Sequence, residues 1–186
     1  MTRECLEDLR NGVVLAELGG YGDGSYCARH GAGAAMVVMG TYIVDPGDHV
    51  PYPERFVFKP SRAHYLEYLR GHVAAAGKSG AKVAVSVVSV EKRDTIEFLQ
   101  AAEEAGADCA SYCAHSTMAM FVHYGLSSAL LAIDRRQDLR DWATSIVKSV
   151  SISVLFKNGG SEDAGGRRRG GGPHLFRRGR GSCRRL

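Results

Sequence analysis

The chain's 186 residues suffice for one domain of ordinary size, and 45% of them are hydrophobic, which excludes a disordered chain. No apolar run approaches the ~20 residues of a membrane span, and the charged opening MTRECLEDLRNG excludes a secretory signal. The net charge of +4 is unevenly placed: residues 159–186 carry eight Arg against Glu162 and Asp163, so residues 1–158 are left at −2 and a basic, nucleic-acid-binding body is excluded.

GVVLAEL (12–18) is a short apolar run closed by GGYGDG, which predicts a buried strand and a turn. Glu17 ends this strand and reads as a surface or ion-paired carboxylate, with a place near the site face as the alternative. SYCARHGAGA follows as a short helix stopped by glycine. AMVVMG (35–40) is a second strand. The Pro-rich connector over 41–59 is too long for a simple link. Its Tyr42, Tyr52, Phe56 and Phe58 read as packing on the rim of the fold, with a lid over a site as the alternative.

SRAHYLEYLRGHVAAAG repeats Ala63, Leu66, Leu69 and Val73 at helical spacing, with Ser61 placed to cap it. AKVAVSVVSV (81–90) is β-branched and predicts a third strand. EKRDTIEFLQAAEEAG is a helix, and ADCASYC (107–113) a fourth strand. RRQDLRDWATSIVKSV (135–150) is a helix with Leu139, Trp142, Ile146 and Val150 on one face. SISVLFK (151–157) is the fifth strand.

Strands alternating with helices imply a parallel sheet, because parallel neighbours need a crossover. Two architectures fit. A full (β/α)8 barrel uses roughly 250 residues, so five units need about 156, and the fifth strand ends at 157. The expected fold is therefore α/β: a partial (β/α)8 TIM barrel over residues 1–158, its five parallel strands in sequential order, with a disordered tail over 159–186. A complete doubly wound domain is the alternative, and its strand order would reverse. Gly20, Gly22 and Gly24 form G-x-G-x-G, which departs from the dinucleotide-binding fingerprint, and no acid ends strand two.

Three stretches together resemble the dihydrouridine synthase family of TIM barrels and its archaeal-type relatives: VVLAELGGYGDGSYCARHGAGAAMVVMGTYI, KVAVSVVSVEKRDTIEFLQAAEEAGADCASYCAHSTM, and LSSALLAIDRRQDLRDWATSIVKSVSISVLFK. Dihydroorotate dehydrogenase is a more distant relative on the same plan. The resemblance implies an FMN-dependent oxidoreductase acting in tRNA processing in the cytoplasm. It implies flavin contacts from Ser86, Cys113 and Lys157 at strand ends, and His115 and Ser116 as the catalytic pair. Only Lys157 keeps the family's residue type among the strand ends: Ser86 stands where glutamine is usual and Cys113 where asparagine is usual. His115 matches archaeal relatives, whereas Ser116 stands where a catalytic cysteine is expected. Serine is the poorer proton donor for flavin chemistry. Activity is therefore left open.

The alternative reading of SYCAHSTMAM (111–120) is a connector in which Cys109 and Cys113 are core thiols. A metal site is not expected, because no second C-x-x-C or H-x-x-x-H pair accompanies these residues. The five cysteines show no framework spacing and read as reduced thiols.

The tail, NGGSEDAGGRRRGGGPHLFRRGRGSCRRL, begins where strands six to eight of a barrel would follow. It reads as the product of a frame shift or truncation, or as an arginine/glycine arm binding tRNA or other RNA, or as a neutral disordered tail. A non-catalytic RNA-associating protein is accordingly the second functional expectation. Open sheet edges on strands one and five would drive self-association.

Overall fold

The computed structural model describes residue 9 and residues 12–44, 52–114, 136–157 and 174–176. Five parallel strands form one curled sheet, a half-barrel. They are β1 (Val14–Leu15), β2 (Met36–Val44), β4 (Lys82–Ser89), β5 (Cys109–Cys113) and β6 (Ser153–Lys157). Each lies beside the next in chain order, which fulfils the barrel expectation and excludes a doubly wound sheet. A two-residue strand, β3 (Val57–Phe58), pairs with the far end of β2.

Four helices among the described residues make the crossovers: α1 (Gly24–His30), α2 (Arg62–Gly77), α3 (Lys92–Glu104) and α4 (Arg136–Ser149). Local chemistry sets where they start. The Asp23 side chain accepts from the Tyr26 N–H at 2.8 Å and caps α1. Ser61 accepts from His64 N–H at 3.4 Å and caps α2, as its position predicts. The buried stripe of α2 is Tyr65, Leu69, Val73 and Ala76. Leu69 and Val73 were expected there, while Ala63 is exposed.

The strands differ from expectation at three places. β1 is only two residues long, because Gly19 and Gly20 turn the chain with positive φ immediately after Glu17 and Leu18. β2 runs on through Val44 instead of ending at Gly40. A bulge between Met39 and Tyr42 carries it across the glycine. Gly40 has φ +110, and a Cβ there would lie 2.5 Å from the Ser86 carbonyl, so only glycine lets β2 approach β4 so closely.

The third difference lies in the tail, where disorder was expected throughout. His174–Phe176 forms a strand, β7, antiparallel to β6 with Leu155 opposite Leu175. The β6 edge is covered there, and Val154 is 1% exposed. The open edge expected on the fifth strand is thus closed over Val154–Phe156.

Alternation sorts each strand's side chains between two faces. The outer face carries Val37, Met39, Val83, Val85, Val87, Ala110, Tyr112, Val154 and Phe156, packed under the helices. Tyr42, Phe56 and Phe58 join this core: Tyr42 and Phe58 meet the Phe98 ring of α3, and Phe56 stacks on Tyr42 with centroids 5.2 Å apart. These three are therefore core side chains beneath α2 and α3. The inner, concave face begins with an apolar layer of Met36, Val38, Ala84 and Cys109, against which Leu9 and Leu155 pack. Above it lie polar groups, then a second apolar layer of Ile43, Val88 and Cys113.

Among the described residues, no helix is long and apolar enough to cross a membrane.

Candidate active site at the C-terminal ends of the strands

In a parallel barrel the C-terminal ends of the strands carry the chemistry, because the loops that diverge from them are free to vary while the strands hold position. Here those ends bring four side chains together. Lys157 is the last residue of β6, and its alternation with Leu155 turns it to the concave face. Glu17 arrives from the turn after β1, Thr41 from within the β2 bulge, and Ser86 from the middle of β4.

Lys157 Nζ forms an ion pair with Glu17 Oε1. The same oxygen accepts from Thr41 Oγ1 at 3.1 Å and from Ser86 Oγ at 3.2 Å. The two hydroxyls also lie 3.1 Å from each other. Two hydroxyl protons serve these three contacts, so at any moment at most two of the three are hydrogen bonds. The Glu17 side chain is 4% exposed and that of Lys157 is 29%. A carboxylate this deeply buried stays charged only if donors surround it. The ammonium and the hydroxyls are those donors.

Backbone contacts hold the carboxylate's turn in place. Gly40 N–H donates to the Gly22 carbonyl at 2.8 Å, tying the loop after β1 to β2. Tyr52 closes the upper side. Its hydroxyl donates to the Thr41 carbonyl at 2.8 Å, and its ring packs on Ile43, Val88 and Cys113. Burial pushes the Tyr52 phenol up to about 12, with Cys113 and Glu17 adding to the effect. Tyr52 is thus a neutral hydrogen-bond donor at pH 7.

Of the residues singled out from sequence, Ser86 and Lys157 meet at Glu17. Cys113 lies in the β5 register position opposite Lys157, 5% exposed, and is not in a disulfide. It belongs to the apolar layer above the ion pair. His115 and Ser116 lie outside the described residues. Glu17 is ion-paired, one of the roles expected of it, and it is so among the site residues, not on the surface. Thr41 was missed, since Asp45 and Pro46 make its surroundings read as a connector. Tyr52 was grouped with the rim aromatics, yet of those four it is the one that reaches the site. Among the described residues, no group of three or more His, Cys, Asp and Glu side chains is placed to hold a metal ion.

No protein-family profile matches the chain, and no curated protein sequence does. It is similar to solved structures of dihydrodipicolinate synthase. One is the chloride-inhibited enzyme of Acinetobacter baumannii complexed with pyruvate, at 15% identity and a TM-score of 0.48, covering 80% of this chain and 45% of that one. A second dihydrodipicolinate synthase gives 12% identity and a TM-score of 0.49, covering 80% and 46%. The chain therefore spans less than half the length of either structure. These findings correct the resemblance to the dihydrouridine synthase and dihydroorotate dehydrogenase flavin barrels. They also correct the FMN-dependent oxidoreductase and tRNA-processing function that it implied, because the matched enzymes are synthases of another kind. The physical reason is visible in the residues: glycine turns and β-branched strands are common to barrels of many chemistries, whereas the flavin-contact positions Ser86 and Cys113 departed from that family's residue types.

Proposed function

We propose that the concave C-terminal end of the sheet is a catalytic site for a small carbonyl compound, which Lys157 attacks as an amine. The single observation that carries this reading is the Lys157–Glu17 pair: an ammonium at a strand end, in contact with a carboxylate that is almost wholly buried. An ammonium is not a nucleophile. It becomes one when a neighbouring base takes a proton, and Glu17 is in place to take it.

The step balances as follows. Glu17 accepts a proton from Lys157, and the freed amine adds to the carbonyl carbon to give a carbinolamine. The carbinolamine hydroxyl then leaves as water with the proton that Glu17 returns, and an iminium ion forms on Nζ. The positive charge stays at Nζ before and after the step. Glu17 therefore keeps a cationic partner and never stands alone in a buried site. Thr41 and Ser86 fix the carboxylate through their hydroxyls, so it is pre-oriented toward Nζ.

Borohydride trapping tests the proposal. The full chain is incubated with pyruvate, glycolaldehyde or dihydroxyacetone, reduced, and mapped by mass spectrometry. A stable adduct is expected on Lys157 in preference to the exposed lysines Lys59 and Lys78, and lost in Lys157→Arg. Equal labelling of Lys59, Lys78 and Lys157 with every carbonyl would overturn the assignment.

A further inference from the structure

We infer that β1 is a pairing edge for a second copy of this chain, with two β1 strands running antiparallel about a two-fold axis at Val14. Among the described residues, the large hydrophobic side chains left exposed are Val13 (71%), Val14 (46%), Leu18 (46%) and Tyr21 (65%). All four lie in β1, the residue before it or the turn that follows it. Scattered exposed apolar residues need no explanation, whereas a cluster on one edge marks an interaction surface.

The backbone points the same way. The Val13 carbonyl accepts from Ala35 N–H at 2.9 Å and so faces β2. Strand alternation then sends the Val14 N–H and C=O to the opposite side, where β1 has no neighbouring strand among the described residues. The sheet's other terminal strand is β7, which Pro173 precedes and Arg177 and Arg178 follow in the sequence, residue types that guard an edge against pairing. Among the described residues β1 is the edge without such a guard.

Charge identifies the occupant. Natural edges are guarded by exposed lysine, proline or other charge. Between residues 12 and 24 the charged residues are Glu17 and Asp23. Glu17 turns inward to Lys157, and Asp23 caps α1 and pairs with Arg55 at 3.6 Å. An apolar edge with both its acids engaged has no charge to match on a partner and nothing to repel its own copy. Antiparallel pairing at Val14 lets each copy's N–H meet the other's C=O, the isologous geometry that closes at two.

Sedimentation equilibrium on the full chain tests this over about 1 to 100 µM. The expected mass is twice the 20.0 kDa of the chain. Val14→Pro removes the outward N–H and leaves the β2 side of β1 untouched, and Tyr21→Lys adds a charge to the patch. Each is expected to weaken the dimer about tenfold or more. Ala63→Lys, on exposed α2 surface, should leave it unchanged. Circular dichroism checks that each variant folds. Should Val14→Pro unfold, Tyr21→Lys and Val13→Lys carry the test. A monomer at every concentration, or a dimer indifferent to all the edge variants, overturns the inference. So does a mass that rises without limit.

Discussion

Two glycines on facing helices should respond to the same substitution with opposite sign. Gly24 opens α1 where it crosses α2. A Cβ built there would sit 2.1 Å from the His72 carbonyl oxygen and 2.7 Å from its carbonyl carbon and Cα. All three are backbone atoms, so no rotamer change relieves the clash, and α1 must move off α2 by about an ångström to reach ordinary contact distance. Overpacking costs typically 1–3 kcal/mol, and a backbone clash belongs at the upper end. The same movement strains the hydrogen bond from Gly24 N–H to His72 Nδ1, now 3.2 Å, a further ~1 kcal/mol. Gly24→Ala is therefore expected to destabilise by about 3–4 kcal/mol, which at 2–4 °C per kcal/mol lowers the melting temperature by roughly 6–16 °C. Gly71 lies on α2 with nothing within 4 Å of its would-be Cβ. There the same change relieves helix-interior glycine and should stabilise by about 0.5–1 kcal/mol. Urea unfolding of both variants beside the parent chain measures the pair. A Gly24→Ala variant within 1 kcal/mol of the parent would refute the close α1–α2 contact on which the estimate rests.

Two further outcomes follow from other contacts. Lys157→Met strands the Glu17 carboxylate and should cost about 3–5 kcal/mol, whereas the double variant with Glu17→Gln should recover much of that loss; a double variant no more stable than the single one would mean the pair is not coupled. Burial lowers the His72 pKa below its usual 6.5, against a raising effect from Asp23 and with a lowering one from Arg55. The neutral ring stacks on Tyr68 at 4.1 Å while its Nδ1 accepts from Gly24. A histidine whose pKa is depressed on folding contributes fully above about pH 6.5 and loses that contribution as the pH falls. The stability difference between the parent chain and His72→Asn, measured by unfolding at several pH values, should therefore shrink below pH 6.5, and a difference constant with pH would count against the neutral acceptor role.

The order of strands was legible because buried β-branched runs such as 81–90 and 151–157 allow little else, and because Ser61 and Gly31 punctuate helices by simple chemistry. Lys157 was legible for the same reason: a charged residue closing an apolar run marks the end of a strand. What sequence hid depends on contacts between distant residues. Thr41 enters the site only because glycine at 40 lets β2 lie against Ser86 and continue into residues that look like a linker. Tyr42, Phe56 and Phe58 looked like rim aromatics from composition, whereas their place in the core goes with β2 continuing through Val44 and pairing there with β3. The pairing of His174–Phe176 with β6 joins an Arg/Gly-rich segment to the sheet, and no periodicity over three residues announces it. The flavin resemblance went astray where it relied on the spacing of elements more than on the chemistry of Ser86 and Cys113.

The three-residue ladder of β7 on β6 has a consequence for stoichiometry. β7 takes the place of β6 as the sheet's edge on that side, and in the sequence Pro173 precedes it and Arg177 and Arg178 follow it. Proline and charge beside an edge oppose pairing with a like copy. If two copies pair through β1 as inferred, the opposite end of each sheet is then a poor place for a third to join, and the backbone chemistry that makes a pair would not go on to make a fibre.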